Sequence, residues 1–90
     1  EMFSKIAITN TEWTLIGNNV NPITFQNVGQ QQIYVIATTS NSQPSETVGP
    51  VYDIFQGELL VNPADMSLSA GTFLWAKTVT GNGYVIVETP

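Results

Sequence analysis

Apolar residues in this chain fall at every second position in short runs, the period of a half-buried β-strand. The clearest run spans residues 32–38, where Ile33, Val35 and Ala37 share one face and Tyr34 and Ile36 the other. Both faces are apolar, so the pattern predicts a strand that is central or covered on its second side. Residues 72–79 repeat that two-faced pattern around Leu74, Trp75 and Ala76. Simple alternation marks the rest. Residues 5–9 alternate weakly, Trp13 and Leu15 oppose Thr14 and Ile16, and Ile23 and Phe25 oppose Thr24 and Gln26. Strands are further predicted over residues 50–55 and 58–61, and over 84–88 to close the chain.

The interruptions carry turn chemistry. Gly17-Asn18-Asn19, Gln56-Gly57 and Gly81-Asn82-Gly83 read as turns, and Asn27-Val28-Gly29-Gln30 as a hairpin-type loop. Pro22 opens a strand, where its missing N–H costs least. Asn62-Pro63 sets an N-cap residue before a proline, the signature of one helical turn, with Asp65 in its first turn. Residues 39–49 are rich in Ser, Thr, Asn and Pro and read as an exposed loop, long enough to be functional. The result is seven or eight short strands at about ten-residue spacing. The fold expected is all-β, a compact antiparallel sandwich or barrel, with residues 1–90 forming one domain and no internal repeat or linker.

Composition narrows the chemistry. The chain has no His, Cys or Arg, and its cations are Lys5 and Lys77. Without Cys there is neither a disulfide nor a thiolate metal site. A net charge of −5 repels phosphate backbones and anionic lipid surfaces, so neither nucleic acid nor membrane is an expected partner. No run approaches the ~20 apolar residues of a membrane span. Residues 1–10 lack the apolar core of a signal peptide. Charged residues make up 10% of the chain against a usual quarter, which leaves a surface of Asn, Gln, Thr and Ser. Such a surface is cheaper to desolvate than a charged one and suits contact with another macromolecule.

Catalytic constellations are not found. Acids occur singly; Asp53 and Glu58 could face each other across Gly57, but two solvated edge charges are the simpler reading. The serines lack a His base, and Lys77, on a strand face with Trp75, reads as a snorkelling edge charge. No residue set suggests a metal, a cofactor or a phosphate loop. Trp13, Trp75, Tyr34, Tyr52 and Tyr84 could build a sugar-stacking platform, making a small carbohydrate-binding module the alternative function. Both Trp lie in strand-like runs, however, which favours core anchors. Apolar second faces exceed what one core needs in a chain this short. Tyr34, Ile36, Phe55 and Leu74 are therefore the candidate interface, packing on a partner or a second copy.

Several segments carry a resemblance. Trp13-Thr14-Leu15-Ile16, then Ile23-Thr24-Phe25-Gln26-Asn27 with Gly29 and Ile33-Tyr34-Val35, resemble the opening of small all-β virion proteins of tailed bacteriophages and prophages. Pro44, Gly49, Leu74-Trp75-Ala76-Lys77 and the ending Val85-Ile86-Val87 continue the likeness. The resemblance implies a non-enzymatic structural component (capsid decoration, neck or fibre-associated) that binds other virion subunits as a homo-oligomer. It implies no catalytic residues. It places the protein in the virion, or in the bacterial cytoplasm when expressed from a prophage.

Overall fold

In a computed structural model, which describes residues 2–90 (for Met2 the backbone alone), the alternating runs become eight strands. They are β1 (Met2–Thr9), β2 (Thr14–Gly17), β3 (Ile23–Asn27), β4 (Ile33–Thr38), β5 (Val51–Tyr52), β6 (Gly57–Val61), β7 (Phe73–Thr78) and β8 (Asn82–Thr89). Two four-stranded sheets form, β1-β8-β3-β6 and β2-β7-β4-β5, and every pairing is antiparallel. The protein is a β-sandwich, as the periodicity predicts.

The core lies between the sheets. Ile8, Ile23, Phe25, Val85 and Val87 from the first sheet meet Ile16, Ile33, Val35, Leu74 and Ala76 from the second, all buried. Burying a large aliphatic or aromatic side chain is worth about 1.5–3 kcal/mol, so this set supplies most of the driving force. Met66 closes one end of it, next to the 3-10 turn Pro63–Asp65. That turn is capped as expected: Asn62 Oδ1 accepts from Ala64 N–H at 3.2 Å.

The connections depart from the sequence reading. Residues 27–30 do not close a hairpin; they carry the chain from β3 in one sheet to β4 in the other. The turns after Gly17 and at Gly81 also cross between sheets, and of consecutive strands only β4 and β5 pair. Turn residues signal reversal, but the same Asn and Gly serve a hairpin and a crossover. The strand expected over residues 50–55 shrinks to Val51–Tyr52. A turn follows in which Gln56 N–H donates to Asp53 C=O at 3.0 Å, and Gly57, read as a turn residue, begins β6. Where β5 stops short, the loop before β7 takes over the edge of β4. Ala70 N–H donates to Ala37 C=O, and Ser69 Oγ accepts from Ala37 N–H.

Candidate interaction surface

The expected interface residues do not come together. Leu74 is wholly buried in the inter-sheet core, because the strand alternation turns it with Ala76 toward the first sheet. Ile36 does lie on the second face of β4 but is buried between Trp13 and Trp75. Tyr34 is half-buried beside them, its ring 6.5 Å from that of Trp13. Only Phe55 is open to solvent, at 70% exposure.

The second apolar face is covered by the chain's own loop. Gln43 clamps Trp13 twice: its Oε1 accepts from Trp13 N–H at 2.6 Å, and its Nε2 donates to Trp13 C=O at 3.0 Å. Trp13 Nε1 donates to Glu46 C=O at 2.6 Å. Lys77 Nζ donates to Thr47 C=O at 3.2 Å and lies 5.5 Å from the Trp13 ring centre. Trp75 Nε1 donates to Thr38 Oγ1 at 2.9 Å. Residues 39–49 thus act as a lid, and neither Trp offers a face for sugar stacking. Tyr84 is partly exposed, but Lys5 Nζ occupies its ring at 4.5 Å.

Beside the lid, a cleft of about 420 Å³ is lined by Ile36, Ala37, Thr38, Val48, Leu68 and neighbours, with Glu46 its single titratable group. Asp53 and Glu58 are held apart in role. Asp53 Oδ1 accepts from Ile54 N–H, while Glu58 Oε2 accepts from the Tyr52 hydroxyl at 2.9 Å. Among the described residues no three acids converge on a site for a metal ion.

Burial, then the hydrogen bond to Glu58 and that residue's charge, push the Tyr52 pKa far above its ordinary value of 10.0. Folding therefore favours the protonated phenol. Stability from this group is complete below about pH 10 and is lost as pH rises beyond it. Urea titrations from roughly pH 9 to 11 are expected to show a steeper loss of stability in the parent than in Tyr52→Phe. Equal slopes would mean that Tyr52 does not set the alkaline limit.

Phe3 on β1 and Val48 and Leu68 at the cleft are exposed, and three further exposed apolar groups lie on or beside β6. Phe55 (70% exposed), Leu59 (78%) and Leu60 (67%) flank the outer side of β3, where Thr24 and Gln26 lie. Sequence reasoning named Phe55 and missed the two leucines, which it read as ordinary strand residues. Their exposure comes from a β-bulge: the register shifts between Ile23 and Phe25, so β6 carries one extra residue. Leu60 N–H then turns to Thr24 Oγ1, at 2.9 Å, and Leu60 takes a left-handed φ of 49°.

Asn27 positions Phe55. This buried side chain donates from Nδ2 to the carbonyls of Gln31 (2.7 Å), Tyr52 (3.3 Å) and Asp53 (3.2 Å), and its Oδ1 accepts from Gly29 N–H. Its backbone C=O accepts from Phe55 N–H at 2.7 Å. Phe55 is thereby held at φ 69° on a fixed turn. Comparison with protein families, curated proteins and solved structures gave no match to this chain.

Proposed function

We propose that this chain is a non-enzymatic assembly module of a tailed-phage or prophage virion, binding other virion subunits through the spur formed by Phe55, Leu59 and Leu60. The observation that carries the reading is backbone strain spent on exposed apolar groups. Phe55 and Leu60 both sit at positive φ, and so does Leu68, 88% exposed at the cleft. A bulky L-residue in that conformation costs about 1–2 kcal/mol and is normally replaced by Gly or Asn. Such side chains give the isolated domain little burial in return. Strained, exposed and apolar residues on a rigid scaffold fit a contact surface. The virion assignment rests on the sequence resemblance together with the sparse charge.

The test couples binding to stability. The chain is coexpressed with the head and tail proteins encoded by neighbouring reading frames, as parent and as the double variant Phe55→Asn, Leu60→Asn. Asn tolerates left-handed backbone, so the variant is expected to match the parent in stability or exceed it by about 1 kcal/mol. Its copurification with a virion subunit is expected to fall at least tenfold. A variant that binds as well as the parent, or neighbours that encode no virion proteins, would remove the reading.

A further inference from the structure

We propose that β1 pairs with β1 of a second copy, antiparallel about a two-fold axis, joining two first sheets into one of eight strands. The proposal rests on the reading of the chain as an assembly module and adds the contact it makes with itself.

The sandwich has four edge strands, and three are blunted. β2 has four residues and a register shift between Leu15 and Gly17. β5 has two residues. β6 is bulged, and one of its N–H groups is already bound by Thr24. β1 differs: its eight residues keep an unbroken register with β8 from Met2↔Thr89 to Thr9↔Asn82, with no bulge and no proline. Natural edges of that length are usually guarded by a charge. The single charge within β1, Lys5, is drawn over the Tyr84 ring on the outer face. An unguarded edge presents a row of backbone donors and acceptors to another strand.

The sequence of β1 fits itself. Residues opposite one another in an antiparallel pair point to the same face, so in a two-fold pairing their numbers must sum to an even value. A sum of 10 sets Lys5 against Lys5 and is repelled. A sum of 12 keeps residues 3–9 paired and sets Ile6 on Ile6, Lys5 on Ala7, Ser4 on Ile8 and Phe3 on Thr9. Ile6 faces the core but is only partly buried at the sheet edge, and this register covers it with its own copy. The seam is about 24 Å long. That is a small interface, which points to micromolar, exchangeable association rather than an obligate dimer. The net charge of −5 opposes it at long range, so added salt should tighten it.

Ala7 is exposed on the outer face, which allows a charge to be placed there without disturbing the core. Ala7→Lys sets an ammonium opposite Lys5 of the second copy, twice about the axis. Ala7→Glu sets a carboxylate there. Sedimentation equilibrium is expected to give a dimer Kd about tenfold weaker for Ala7→Lys and about tenfold tighter for Ala7→Glu. Amide exchange in β1 should slow as the protein is concentrated. A parent that stays monomeric at high concentration, or two variants with the parent's Kd, would overturn the β1 contact. The spur variants leave β1 untouched, so loss of subunit binding in Phe55→Asn, Leu60→Asn with no β1 dimer would sink this inference and spare the assembly reading. The reverse pattern would sink the assembly reading.

Discussion

Trp13→Ala is expected to lower stability by about 3–5 kcal/mol, the range for deleting a buried large aromatic side chain. For a domain this small that is a Tm drop of about 12–40 °C. Trp13 is 4% exposed and lies among Ile36, Trp75, Leu15 and Tyr34 on the outer face of the second sheet. Removing the indole leaves a void between sheet and lid, too large for the neighbours to fill by small shifts. It also orphans the Glu46 carbonyl that Nε1 binds. Gln43→Ala serves as the control. It breaks the clamp on Trp13 but keeps the indole in place, and should cost about 1 kcal/mol, the net worth of hydrogen bonds at a partly solvated site. A Trp13→Ala loss no larger than that of Gln43→Ala would show that the lid does not depend on the buried indole. Intrinsic fluorescence gives a second readout: the parent should emit to the blue and be indifferent to added sugars.

The lid also shows where the sequence was legible and where it was not. The two-faced patterns of β4 and β7 predicted correctly that a second apolar layer had to be covered. Periodicity reports that a face is apolar; it does not report what lies on it. Residues 39–49 are mostly solvent-exposed, as their polarity predicts, but they also cover Trp13 through Gln43 Oε1 and Nε2 and the Glu46 carbonyl, groups any polar loop contains. The covering was therefore assigned to a partner, through Tyr34, Ile36 and Leu74, when the chain supplies it itself. Leu74 was misplaced for a different reason. On a strand apolar on both sides, alternation separates Leu74 from Trp75 but does not say which looks inward. Phe55 was read as a strand residue, and its exposure follows from Asn27, a buried hub whose four side-chain hydrogen bonds reach the carbonyls of Gln31, Tyr52 and Asp53 and the N–H of Gly29. Nothing local distinguishes that Asn from any other turn residue. The leucines of the spur were hidden by the bulge in β6, an insertion that period-2 reading passes over.

Gly57→Ala tests how firmly that spur is built. A Cβ at Gly57 would fall 1.9 Å from the Phe25 carbonyl oxygen, 2.7 Å from Gln26 Cα and 2.8 Å from the Phe25 carbonyl carbon. All three atoms are backbone of β3, which lies between β8 and β6 and carries the fully buried Phe25. No side-chain rotation relieves such a contact. Either β3 shifts and drags Phe25 out of the packed core, or β6 lifts off the sheet. The first costs at least the upper end of the overpacking range, about 3 kcal/mol. The second gives up the pairing of Phe25 with Glu58 and Gln26 with Gly57 and pulls Glu58 from the Tyr52 hydroxyl. Loss of about 3 kcal/mol corresponds to a Tm drop of about 12–24 °C. Gly81→Ala isolates the other way a glycine can matter. Its φ is +65°, but the nearest atom to a Cβ there is Gln31 Nε2 at 3.9 Å, so its cost is conformational, about 1 kcal/mol. If the clash governs, Gly57→Ala is the more damaging of the two, and amide exchange rises first in β6 and the turn holding Phe55. Equal losses at the two positions would mean that β6 is loosely seated, and the strained leucine and phenylalanine would no longer be held on a rigid support.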